Sequence, residues 1–108
     1  MVYCGNAQYE LDRAAALLKS KNPDDLLDAA RRLLKARQYL NGAVPSDGVV
    51  ALAEAALADE RLGDLVKALG MLCLASAYGR RGPLVDAARG IVEKYYEEVL
   101  KEYKERCG

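Results

Sequence analysis

The chain contains no histidine, no tryptophan and no phenylalanine among its 108 residues. The missing imidazole excludes the commonest general base, the Ser-His-Asp and Cys-His nucleophilic arrangements and the usual zinc-finger ligand sets. It also excludes the Glu-x-x-His pairs with which helical bundles hold paired iron ions. Neither a Gly-x-Gly-x-x-Gly nor a Gly-x-x-x-x-Gly-Lys-Ser/Thr phosphate loop occurs. No metal, cofactor or enzymatic activity is therefore expected. The remaining candidates for a perturbed titration are Lys67, Glu54 and Asp64, beside apolar helical segments, where a solvated helix edge or a cap explains them equally well.

Charge of one sign is missing as well. Sixteen Lys and Arg balance sixteen Asp and Glu, so no overall field draws the protein to nucleic acid or to an anionic membrane. No stretch reaches the roughly 18 uninterrupted apolar residues of a membrane span. The opening Met1-Val2-Tyr3-Cys4-Gly5-Asn6 lacks the basic-then-apolar layout of a secretory signal, so a cytoplasmic protein with no membrane partner is expected. What is present is a composition of 52% hydrophobic and 30% charged residues, that of a chain able to bury a core. Residues 1–108 read as one all-helical domain.

Punctuation by Gly, Pro, Asn and Ser divides the chain into five helices. The first is expected from Ala7 to Ser20, capped by Asn6, with Leu11, Ala14, Ala15 and Leu18 on one face. Asn22-Pro23-Asp24-Asp25 starts the second, combining an N-cap, a proline at the first helical position and two carboxylates at the positive end of the helix dipole. Its apolar residues are Leu26, Leu27, Ala30, Leu33, Leu34 and Leu40, and Asn41-Gly42 ends it. Pro45-Ser46 opens a third helix whose Val49, Val50, Leu52, Ala53, Ala56 and Leu57 predict deep burial. A fourth follows Gly63, with Asp64 as its cap, and its charge-free stretch from Ala68 to Ala75 predicts the central helix. The fifth runs from Pro83 to about Arg106, roughly 36 Å at 1.5 Å per residue. Its stripe is Leu84, Ala88, Val92, Tyr95, Val99 and Tyr103. The fold class is all-α, either a compact bundle or a short solenoid of helical hairpins with a long C-terminal helix.

Leu26-Leu27-Asp28-Ala29-Ala30-Arg31 reappears as Leu84-Val85-Asp86-Ala87-Ala88-Arg89, each shortly after a helix-starting proline, which points to two related hairpins with the third helix between them. In the second hairpin, Leu74, Ala75, Tyr78, Gly82, Ala87 and Ile91 follow the spacing of a tetratricopeptide unit, so residues 68–96 resemble that family. Ala75 stands where the family has Gly, Ile91 where it has an aromatic residue, and Lys94 where a small residue is usual. The resemblance implies a scaffold that binds protein or peptide.

Three surface features carry the functional expectations. Arg31, Arg32 and Lys35 on the second helix, with Arg80 and Arg81 before the fifth, would form a phosphate-gripping patch if brought together; pairing with acids such as Asp28 is the alternative. Tyr95, Tyr96 and Tyr103 would form a self-association stripe if the long helix overhangs its neighbours, and otherwise replace Phe in the core. Cys4 and Cys107 lie beside the two termini, so a disulfide and a pair of free thiols are both compatible with their positions. Closing a loop of about 100 residues would contribute ~4.7 kcal/mol on chain entropy. Such a staple, with the charged surface, is compatible with a thermostable protein. Cys73, between Leu72 and Leu74, is expected to be a small core hydrophobe.

The leading expectation is a non-enzymatic helical scaffold binding protein, including a second copy of itself. The alternatives are a small nucleic-acid-associated protein and a bundle with a small-molecule pocket among helices three, four and five, near Gly70 and Ala75.

Overall fold

The computed structural model describes residues 2–46, 48–57, 63–79 and 82–108, with the side chains at 49, 53, 55 and 56 left aside. Five helices form an all-α bundle: α1 (Cys4–Leu17), α2 (Pro23–Leu40), α3 (Val49–Leu57), α4 (Gly63–Ala77) and α5 (Pro83–Cys107). Among the described residues, no helix is long and apolar enough to cross a membrane.

The start of α2 follows its sequence signal: the Asp24 N–H donates to Asn22 Oδ1 at 2.9 Å and Pro23 takes the first turn. At its other end Gly42 adopts φ 81°, a left-handed conformation that costs glycine nothing. Tertiary ties set the limits of α1 instead. It begins at Cys4, three residues before the expected Ala7, with no side-chain cap. The Tyr3 N–H donates to the Tyr39 carbonyl at 3.1 Å, and the Tyr3 ring meets Tyr39 edge-on, so contacts with the end of α2 replace the cap expected from Asn6. The helix stops at Leu17 rather than Ser20. Arg89 of α5 donates to the carbonyls of Leu18 and Ser20, satisfying acceptors that the helix end leaves open, while Ser20 Oγ turns to Asp25 Oδ2 at 2.6 Å.

Two hairpins, α1 with α2 and α4 with α5, make up most of the bundle, and α2 packs against all four other helices. The central helix is therefore α2 and not α4. Leu26, Ala29, Ala30, Leu33, Leu34, Ala36 and Leu40 bury several of its sides at once. Its charges concealed this in the sequence, because the aliphatic stems of Lys35 and Arg37 are buried with it and their heads reach acids on α1 and α5. In α4, Leu65, Ala68, Leu69, Leu72 and Ala75 are buried at helical spacing, and the opposite side is exposed. The repeated motif fares differently in its two places: Ala29 and Ala30 are both buried, whereas of Ala87 and Ala88 only Ala88 is. One helix is enclosed and the other is covered on one side.

The third helix departs from expectation. It starts at Val49, not at Pro45-Ser46, and the Gly48 N–H donates to Ser46 Oγ at 3.2 Å. Leu52 is buried, but Val50 and Leu57 keep 71% and 68% of their surface in solvent. The expected deep burial is thus corrected at Val50 and Leu57, while the side chains of Val49, Ala53 and Ala56 lie outside those described.

The last turns of α5 do not overhang. Cys107 lies at disulfide distance from Cys4, with Cα atoms 5.8 Å apart. Arg106 Nη1 donates to the Leu40 carbonyl at 2.6 Å and to Asn41 Oδ1 at 3.2 Å. Tyr103 Oη donates to Gln8 Oε1 at 3.2 Å. The start of α1, the end of α2 and the end of α5 are fastened at one pole.

Candidate interaction surfaces

The outward side of α4 is its most unusual feature. Gly70, Cys73, Leu74 and Ala77, followed by Tyr78, recur at i, i+3, i+4, i+7 and i+8, and all are exposed. That spacing makes one continuous helical stripe, extended into the turn because the Tyr78 N–H still donates to the Leu74 carbonyl at 3.1 Å. The stripe carries no charge. Leu74 leaves 54% and Tyr78 74% of its surface in water. An ordinary amphipathic helix places charge on this side. Cys73, expected in the core, is instead an exposed thiol in the middle of the stripe. A Cβ added at Gly70 would meet nothing within 4 Å, so this glycine leaves bare, open helix surface one turn from Leu74. Asp64 and Lys67, both exposed and 4.0 Å apart, lie beyond its N-terminal end. Glu54 is exposed too, and all three read as solvated helix edges. Among the residues with tetratricopeptide-like spacing, Ala75 is buried, Ile91 half-buried and Leu74, Tyr78 and Ala87 exposed.

The basic residues of α2 face acids. Glu10 of α1, 3% exposed, accepts from Arg32 Nη1 at 3.1 and 3.2 Å and lies 3.7 Å from Lys35 Nζ. Asp28 accepts from Arg31 Nε at 2.9 Å and Nη2 at 2.6 Å, and is 3.7 Å from Arg32 Nε. The Tyr9 ring lies 5.9 Å from the Arg32 guanidinium, within cation–π range. Burial alone would lower the Arg32 pKa, but its hydrogen bond to Glu10 and the charges of Glu10 and Asp28 outweigh burial and hold it above the ordinary value. Arg31, Arg32 and Lys35 are thus brought together around two carboxylates, and Arg80 and Arg81 lie outside the described residues. Glu10 was missed in the sequence although a signal was there: it falls on the apolar stripe of α1, among Ala7, Leu11 and Ala14. Glu102 likewise follows Tyr95 and Val99 on the stripe of α5, and meets buried Arg37 at 3.2 Å.

The tyrosines divide. Tyr95 is 5% exposed and belongs to the core. Tyr96 and Tyr103 are half-buried and pack against that core, and burial, with Glu97 and Asp12 nearby, pushes the Tyr96 phenol above its usual pKa.

An open cleft of about 690 Å³ lies where α3, α4 and α5 meet, bordered by Leu57, Val66, Lys67, Lys94, Tyr95 and Glu98. It lies at the N-terminal end of α4 and includes neither Gly70 nor Ala75, around which a pocket was expected, and Ala75 is fully buried. No protein-family model matches the chain, and neither a curated protein nor a solved structure matches it.

Proposed function

We propose that this protein is a non-enzymatic helical interaction module that binds protein through the uncharged stripe from Gly70 to Tyr78. The observation that carries this reading is the exposure of Leu74 and Tyr78 on the uncharged stripe from Gly70 to Tyr78. Exposed apolar area costs solubility and contributes nothing to folding, and contiguous patches of this kind mark interaction sites. The tetratricopeptide-like spacing of residues 68–96 points the same way. The ion pairs of Arg31, Arg32 and Lys35 with Asp28 and Glu10 weigh against the nucleic-acid alternative, because phosphate binding would have to compete with carboxylates already in place.

Selection of helical peptides from a displayed library on the purified protein tests the reading. Recovered peptides should bind the unaltered chain with little dependence on salt, as apolar packing requires, and lose binding to Leu74→Glu. Recovery of no peptide, or of peptides that bind Leu74→Glu equally well, contradicts it.

A further inference from the structure

Beyond Val99 no residue of α5 is buried, and of the described residues before Ala7 none is buried either. The Cys4–Cys107 disulfide therefore joins two helix ends that lie outside the core. We infer that this bond is a redox switch: a dithiol reductant opens it and frees the turn from Tyr103 to Cys107 while the core stays folded. The inference goes beyond the protein-binding reading of the α4 stripe and does not depend on it.

Segments with few buried apolar contacts open locally, without the rest of the fold. Tyr103 to Cys107 is such a segment. Besides the disulfide, Tyr103 Oη donates to Gln8 Oε1, and Arg106 donates to the Leu40 carbonyl and to Asn41 Oδ1. The Arg106 side chain keeps 44% of its surface in solvent, so water can take over its hydrogen bonds with little net loss. Glu102 sets the limit of the opening. Its carboxylate lies 3.2 Å from Nη1 of buried Arg37, and withdrawing it would strip an acid from a charge held out of water, which is costly.

Both cysteines are half-buried and not enclosed, which leaves the bond open to attack, and accessible disulfides are the labile ones. Opening is thiol–disulfide exchange. A thiolate of the reductant bonds to one cysteine sulfur as the Cys4–Cys107 bond breaks, and the other cysteine leaves as a thiolate. The reductant's second thiolate then displaces the first cysteine and closes the reductant's own disulfide. Two electrons pass from the dithiol to the protein, and the dithiol's two protons end on the freed cysteines. A small oxidised disulfide reverses the exchange. Release withdraws Tyr103 and Cys107 from the core edge against which they pack, so the redox state controls the surface at this pole.

Hydrogen exchange read by mass spectrometry on the full chain, oxidised and then reduced with dithiothreitol, tests the switch. In the reduced protein the amides of Tyr103–Cys107 should exchange within about tenfold of an unstructured peptide, and at least about tenfold faster than in the oxidised protein. Those of Leu26–Leu40 should stay at least about a thousandfold slower than an unstructured peptide in both states. Cys4→Ser with Cys107→Ser should match the reduced chain without any reductant, and oxidised glutathione should restore the protection of the unaltered chain. Equal exchange of this turn in the two redox states overturns the inference, as does a turn that stays open in oxidised glutathione. Loss of protection in α2 together with the turn overturns it too, because the bond would then staple the whole fold and switch no part of it.

Discussion

At the residue scale, Glu10 is the side chain on which α1 and α2 most depend electrostatically. A carboxylate taken out of water is tolerated when opposite charges and hydrogen bonds replace its hydration, and Arg32 and Lys35 do so here. Glu10→Ala removes the acceptor that both cations share, and chemical denaturation should report a loss of about 3 kcal/mol, as for broken buried pairs. Glu10→Gln, which keeps the shape and one acceptor oxygen, should lose less. Tyr96 gives a second residue-level outcome. Its phenol titrates above the usual tyrosine value in the fold, so the folded state holds that proton more tightly than the unfolded chain. The stability it contributes is fully present below the ordinary tyrosine pKa of about 10 and is lost as pH rises through the folded value. Tyr96→Phe should flatten the alkaline decline of the unfolding midpoint. Both features were partly legible: Glu10 breaks the apolar stripe of α1, but which cations answer it depends on how α2 lies against α1, which no local pattern states.

At the scale of the element, the beginning of α2, the number of helices and the length of α5 were legible because they rest on local chemistry: an Asn cap, prolines at first turns, glycines at ends. The rank of the helices was not. Hydropathy placed α4 at the centre because its stretch from Ala68 to Ala75 is uncharged, whereas such a stretch can also keep a bare surface, and a helix with Lys35 and Arg37 can be central if its neighbours bring acids. The glycines separate the two kinds of information. Gly70 lies in mid-helix with open space beside it, so Gly70→Ala should stabilise the fold by about 0.5–1 kcal/mol through helix propensity alone. Gly82 holds φ 100°, which L-residues rarely adopt. Gly82→Ala should therefore destabilise by more than Gly70→Ala stabilises, and thermal unfolding of the two variants should move in opposite directions.

At the scale of the molecule, the pole where Cys4, Tyr3, Leu40, Arg106 and Cys107 meet ties both ends of the chain to the end of α2. Closing a loop of this length restricts the unfolded chain, so reduction, or Cys4→Ser with Cys107→Ser, should lower stability by up to ~4.7 kcal/mol on the chain-entropy estimate. Denaturation with and without reductant measures it, and an unchanged midpoint would show that the pair does not staple the fold. The nearness of the termini was readable as an option. What made it a pairing is the registration of α1 against α5, which long-range packing sets.

The central claim, that the Gly70–Tyr78 stripe of α4 is a surface for a partner and no part of the fold's own core, is tested most directly by the urea unfolding midpoint of Leu74→Glu. Leu74 stands 54% exposed and faces outward, so the account predicts a stability within about 0.5 kcal/mol of the unaltered chain, as for ordinary surface substitutions. A loss of about 2 kcal/mol or more, the scale of a disrupted core leucine, would contradict it.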